Sequence, residues 1–191
     1  NPAYAALLRR LSGIIGAGDK VEPIKRLITS AIGSGVRKQS GWQSPVLDGL
    51  TDGLKRKKID FALLAGEQNA LIQCTFEHPA SDVRKASLRL LKVIGVQDSV
   101  QLEKMTGKAI TMAGNRSLSN DKRAEALDFI ALGNPTPYSA TIAGLIVPQE
   151  EPAVQLAALK ILGQVPDETG PNYFLKNWET LTPEIRDEAL N

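Results

Sequence analysis

Four stretches of the chain repeat one arrangement of apolar and polar positions. Set on one column, Arg84, Arg123, Gln155 and Arg186 align at spacings of 39, 32 and 31 residues. Three residues further on stand Ser87, Ala126, Ala158 and Ala189, all small, and the next position is leucine each time: Leu88, Leu127, Leu159 and Leu190. Seven residues past the column come Leu91, Ile130 and Leu162, and just before it Val83, Lys122, Val154 and Ile185. Offsets of 0, 3, 4 and 7 put these side chains on one stripe of an α-helix. A small residue lets neighbouring backbones approach, and the leucine beside it fills the groove between them. Recurrence at this period marks a solenoid, whose units cannot bury their apolar faces alone.

The same pattern sets the ends of these helices. Ser81, Asn120 and Thr182 stand as N-caps, with Pro183 at a first helical position. Gly95, Gly133 and Gly163 follow the helical stretches, where a left-handed C-terminal residue is expected. Partner helices are predicted over 99–113, 136–147 and 171–179, the first with Val100, Met105, Ala109 and Met112 as its apolar side. The N-terminal third is less regular but helical. Tyr4, Leu7, Leu8, Leu11 and Ile15 share one face, then Val21, Ile24, Leu27, Ile28 and Ile32, then Val46, Leu47, Leu50 and Leu54 after a Ser44-Pro45 start. Residues 60–76 supply one or two further helices before His78-Pro79. A glycine-rich loop is predicted over 33–41. The expectation is an all-α, right-handed α-solenoid of about five helical hairpins, a single array over 1–191 in which 1–78 are degenerate repeats and 79–191 clearer ones.

Composition narrows the function classes. Aromatic residues make up 5% and hydrophobic ones 42% of the 191 residues, so small aliphatic side chains carry the core. A net charge of +2 is too balanced to imply nucleic-acid or membrane binding by the whole chain. The single cysteine, Cys74, excludes an intrachain disulfide. One histidine and one cysteine fall short of the three or four N/S ligands of an ordinary zinc site. A start at Asn1-Pro2 and a close in the middle of a new helix lead us to expect a piece of a longer polypeptide.

The segments "EPAVQLAALKILG" and "TPEIRDEAL" resemble HEAT repeats, antiparallel helix pairs whose second helix often opens with Pro, Val or Ile, and Arg. That resemblance implies fold and is almost silent on activity. "GWQSPVLDGLTDGLKRKK" and "FLKNWETLTPEIRDEAL" further resemble the helical section of large exported bacterial membrane-bound-dehydrogenase-like proteins. There a β-propeller precedes the array and a c-type cytochrome module with Cys-x-x-Cys-His follows. The resemblance implies a spacer between a dehydrogenase and its haem domain, and a periplasmic or exported location. The haem motif itself is absent from this stretch: "CTFEH" has one cysteine and the wrong spacing.

Other constellations reduce to architecture. Cys74 and His78 stand four apart, but Pro79 disfavours helix at His78, and Cys74 lies among Leu71, Ile72 and Phe76, a setting for an inert thiol. Glu150 and Glu151 complement a helix N-terminus, and Asp167 with Glu168 sits in a turn. "GIIGAGD" and "AIGSGVRK" lack the Gly-Lys-Ser/Thr of a phosphate loop and follow helices. Lys55-Arg56-Lys57-Lys58, with Arg37, Lys38 and Trp42 nearby, is the sharpest charge feature. It reads as a solvated helix end, the alternative being a basic nucleic-acid-binding face. Met105 and Met112 are core. The arginine column is expected to bond acids of neighbouring repeats, with Asp82, Asp121 and Glu184 as candidates and Gln155 as an interruption. Together these observations predict a non-enzymatic scaffold or spacer without catalytic, cofactor or metal-binding residues. Its partners are other domains of the same polypeptide or another protein, with no nucleic acid, no membrane insertion and no small-molecule substrate. A nucleic-acid enzyme, or a lyase-type helical-repeat enzyme assisting bilin attachment, would share the architecture. The first requires a continuous basic concave face, the second an apolar cleft lined with carboxylates.

Overall fold

A computed structural model describes residues 2–33, 41–56, 60–166 and 168–190. Among the described residues there are eleven α-helices and no strand. The chain divides into two compact units, Asn1–Gln97 and Asp98–Asn191.

The first unit holds α1 (Pro2–Gly16), α2 (Val21–Gly33), α3 (Gln43–Leu54), α4 (Ala65–Glu77) and α5 (Ser81–Ile94), with a 3₁₀ turn at Phe61–Leu64. Helices α1, α3 and α5 lie side by side, while α2 packs on α3 and α4, and α4 packs on α5. The pairs α2/α3 and α4/α5 are helical hairpins, and α1 adds a further helix to the layer of α3 and α5.

The second unit repeats the scheme with α6 (Ser99–Gly114), α7 (Asn120–Ile130), α8 (Ser139–Ala143), α9 (Pro152–Leu162), α10 (Thr169–Asn177) and α11 (Pro183–Ala189). Helices α7, α9 and α11 follow one another in one layer. In the other, α6 packs on α7, α8 on α9, and α10 on α8. Each unit is therefore a two-layered stack of hairpins around one apolar seam. The fold is all-α, a helical-repeat, solenoid-like arrangement.

The aligned columns are the core of that stack. Ser87, Ala126 and Ala158 are buried, as are Leu88, Leu127 and Leu159, then Leu91, Ile130 and Leu162, and in front Val83, Val154 and Ile185. Leu190, the fourth leucine of the column, is exposed. Complete burial of a leucine of this kind contributes about 2 kcal/mol, so the recurring pair of small residue and leucine helps to hold neighbouring helices together.

Several local expectations are corrected. Helix α1 does not turn Tyr4, Leu7 and Leu11 inward; these are exposed, and Ser12 and Gly16 are buried instead. The cause lies in α3, whose Gly49 and Gly53 bring the two backbones together. A Cβ on Gly49 would meet Ser12 Oγ and the Arg9 carbonyl, and one on Gly53 would meet the Gly13 carbonyl and lie 2.7 Å from the Ala17 nitrogen. Only a face of small residues fits there, and the bulky stripe is left on the other side. Helix α3 begins at Gln43, two positions ahead of Pro45, without a side-chain cap. Val100 is exposed, and α6 buries Met105, Thr106, Ala109 and Ala113 instead; Met112 is half-buried.

The predicted helix 136–147 is a 3₁₀ turn followed by the five residues of α8, which stops at Gly144, four residues before Pro148. Ser81 and Asn120 are first helical residues and not caps. Thr182 does cap, its hydroxyl accepting from the Ile185 N–H at 3.4 Å. Of the three glycines placed after helices, only Gly95 has a positive φ. With φ 73° and ψ 179° it lies outside the left-handed helical well, in a region open essentially to glycine alone. Gly163 has ordinary helical angles. At Gly133 a Cβ would come 2.9 Å from Thr106 Oγ1, so close packing accounts for that glycine. The glycine-rich loop over 33–41 lies, apart from its two ends, outside the described residues.

Candidate functional site

The arginine column does its work on backbone carbonyls. Arg84 Nη1 donates to the carbonyls of His78 at 2.8 Å and Pro79 at 3.0 Å, closing the turn between α4 and α5. Arg123 Nε donates to the Ala113 carbonyl at 2.8 Å, holding the last turn of α6. Arg186 donates from Nε to Leu181 O at 3.0 Å and from Nη2 to Glu179 O at 3.4 Å. Gln155 does not interrupt this series: its Nε2 donates to the Glu150 carbonyl at 2.6 Å. A column residue needs a long side chain ending in N–H donors, and an amide meets that need.

Arg123 has a second partner, and it is not the neighbouring Asp121. Nη1 and Nη2 reach both oxygens of Glu150 at 2.7 Å, a bidentate fork between α7 and the turn before α9. Both side chains are almost wholly buried, 2% and 4% exposed. Glu150 Oε1 also accepts the Glu151 N–H at 3.0 Å, and Arg116 approaches Oε2 at 3.6 Å. The Arg123 hydrogen bonds, first among these influences, hold the Glu150 carboxyl at about 2 against the ordinary 4.5, while burial opposes. The same bond raises Arg123. The macrodipole role expected of Glu150 is therefore replaced by an inter-repeat ion pair. Glu151 stands at the N-cap of α9 without a side-chain cap bond.

The remaining chemical candidates separate. Cys74 is buried, its Sγ accepting from Ser87 Oγ at 3.2 Å, and desolvation pushes its thiol up. His78 ends α4 in an extended conformation, as Pro79 requires, and its Nδ1 accepts from the Ala80 N–H at 3.2 Å. Thiol and imidazole thus have different partners. Lys55 and Arg56 lie exposed at the C-terminal end of α3; Lys57 and Lys58, like Arg37, Lys38 and Asp167, fall outside the described residues. Among the described residues no group of three His, Cys, Asp or Glu side chains could hold a metal ion. Nor is any described helix long and apolar enough to cross a membrane.

Two surface grooves lie among the described residues. One, of about 600 Å³, runs between α1 and α3 with Arg9, Arg10, Asp52 and Arg56 on its walls. Arg9 is tied to Asp52 by hydrogen bonds of 2.7 and 2.9 Å. This pair is solvent-exposed and contributes no more than about 1 kcal/mol. The second groove, of about 520 Å³, opens between α9, α10 and α11 and is apolar: Leu162, Val165, Phe174, Leu175, Trp178 and Leu190 line it.

Sequence reasoning missed Glu150, Gln155 and the Gly49/Gly53 pair. The first was legible in principle, because an arginine on a buried column calls for a counter-charge. The glycine pair was legible as two glycines four apart in "LDGLTDGL". The fold and the site define a helical-repeat protein whose buried polar groups lock one repeat to the next. Comparison with protein-family models, with curated proteins and with solved structures found no match.

Proposed function

We propose that the chain is a non-catalytic scaffold: a HEAT-like helical spacer of a larger exported bacterial protein, holding other domains of its own polypeptide or another protein. The observation that carries this reading is the apolar groove at α9–α11. There Leu175 and Leu190 stand exposed beside Phe174 and Trp178, a surface suited to a protein partner. The polar groups of the column support it, since Arg123, Glu150 and Gln155 are engaged in joining repeats. The basic groove carries its own acid, Asp52, against Arg9, which favours a solvated surface over a nucleic-acid track. The spacer role rests on the resemblance of residues 41–58 and 174–190 to dehydrogenase-like proteins.

Lysine cross-linking of the intact native polypeptide, followed by mass spectrometry, tests the reading. Cross-links from Lys160 and Lys176, which lie on α9 and α10, to residues outside 1–191 are expected. Their absence, with all links internal, removes the scaffold role. The codons flanking this segment test the spacer role: Cys-x-x-Cys-His downstream with propeller-like strands upstream is expected. Flanks of further hairpins alone would leave a free-standing adaptor.

A further inference from the structure

We propose that the edge formed by the C-terminal ends of α3 and α5 docks an acidic protein segment, one that presents a short run of Asp or Glu side chains. This deepens the scaffold reading, on which it rests for the protein character of the partner.

The overall charge of +2 hides a partition. Residues 1–97, the first unit, carry 15 Lys and Arg against 8 Asp and Glu, a net +7. Residues 98–191 carry 8 against 13, a net −5. An asymmetry of this kind points the basic unit toward an anionic partner.

Within the first unit the cations gather at one edge. Helices α3 and α5 lie side by side in one layer and, as alternate helices of a hairpin stack, run the same way. Arg89 sets their register, its Nε donating to Asp48 Oδ1 at 2.8 Å. Beyond that bond stand Lys55 and Arg56, just past the last turn of α3, and Lys92 in the last turn of α5, all exposed. None of the three has an ion pair among the described residues. The acids nearby are already engaged. Asp48 holds Arg89, and Asp52, which lines one groove with Arg56, holds Arg9 at 2.7 Å. Asp60 caps the next 3₁₀ turn by accepting the Ala62 N–H. The C-terminal dipoles of two helices amount to about one negative charge, so three cations leave about two uncompensated. In a stack that grows sideways, helix ends stay at the edge however many repeats flank them.

The acids of α3 select the class of partner. A nucleic acid presents an unbroken row of phosphates and needs cations along several helices. Here Asp48 and Asp52 stand in the layer behind the edge, where such a row would meet them. A peptide's carboxylates are discrete and can reach Lys55, Arg56 and Lys92 from the rim, with the Arg56 guanidinium free to grip one of them by a bidentate fork.

Fluorescence anisotropy of a fluorescein-labelled oligoglutamate peptide, titrated with the whole chain, tests the proposal. A Kd below about 100 µM is expected at about 0.03 M salt, weakening at least about tenfold by about 0.3 M. Lys55→Ala/Arg56→Ala/Lys92→Ala should weaken binding at least about tenfold. Arg26→Ala/Lys85→Ala/Lys104→Ala removes as many exposed cations elsewhere and should cost less than about threefold. Circular dichroism confirms that both variants fold. Absence of binding at low salt overturns the proposal. So do losses that differ by less than about threefold between the variants, which would mean attraction to the unit's charge at large. An oligothymidylate probe bound more than about tenfold tighter than the peptide assigns the edge to nucleic acid and overturns it equally. The cross-links that test the scaffold reading start from Lys160 and Lys176 in the other unit, so either reading can fail with the other intact.

Discussion

Replacing Glu150 by Gln isolates the contribution of the buried fork. The substitution keeps size and one acceptor oxygen but leaves Arg123 charged and enclosed. Removing one partner of a buried pair costs about 3–5 kcal/mol, most of it the penalty of the orphaned charge. An independent figure comes from titration. Glu150 falls from 4.5 to about 2 on folding, which corresponds to roughly 3 kcal/mol of stabilisation by the ionised form. A carboxyl depressed in the folded state lends its stability above the unfolded value and loses it as pH falls. The contribution is therefore intact above about 4.5 and disappears between there and about 2.

Urea unfolding followed by tryptophan fluorescence reads this directly. In a Trp42→Phe background, Trp178 reports on the second unit alone. Glu150→Gln is expected to lower its unfolding free energy by about 3–5 kcal/mol at pH 7, and the deficit should shrink by about 3 kcal/mol near pH 2 as wild type acquires a proton. Arg123→Met combined with Glu150→Leu should recover part of the loss, since a packed apolar pair removes both charges together but leaves the Ala113 carbonyl without its donor. A deficit below about 1 kcal/mol at pH 7, or one that is the same at both pH values, would refute the assignment of a buried and coupled pair.

Other expectations follow from single contacts. Gly53→Ala should destabilise the first unit by more than about 2 kcal/mol, because its Cβ meets α1 backbone. Gly66→Ala, a helical position with open space around it, should stabilise by about 0.5–1 kcal/mol; thermal melts of the two variants should move in opposite directions. Gly95→Ala meets only Gln97 Nε2 at 3.8 Å, so its cost of about 1–3 kcal/mol is purely conformational, and Gly95→Asn should recover little. Cys74 should resist a thiol reagent such as dithionitrobenzoate at pH 8 and react fully in urea; fast labelling of the native chain would show that its burial is wrong. Gln155→Leu should cost about 1–3 kcal/mol by leaving the Glu150 carbonyl without its donor, measured by the same urea assay.

The repeat was legible because its evidence is periodic. Val83, Leu88 and Leu91 recur as Val154, Leu159 and Leu162, and burial follows the alignment closely. What periodicity could not give was the direction α1 faces. Its own pattern points Tyr4, Leu7 and Leu11 at a core, but the orientation is decided by Gly49 and Gly53 some forty residues away, which admit only Ser12, Gly13 and Gly16. Helix ends were poorly legible for a similar reason. Thr182 caps as its side chain suggests, whereas the turns before α5 and α7 are closed by Arg84 and Arg123 from within the following helices. A local cap was therefore not needed. Glu150 escaped notice because beside Glu151 and Pro152 it looks like a helix-start acid, and nothing local reveals that it is turned inward.

Glu150 touches two column residues at once, Arg123 through its carboxylate and Gln155 through its carbonyl. In a linear array, stability divides into what each repeat holds by itself and what it shares with its neighbour. One residue bonded to both α7 and α9 moves free energy from the first term to the second. Among the described residues, Leu190 of α11 lacks the cover that Leu127 and Leu159 have on α7 and α9. The boundary between α7 and α9, by contrast, is the least favourable place for a partial melt to stop. Cooperativity in this unit is thus concentrated at one glutamate, through which α7 and α9 are joined.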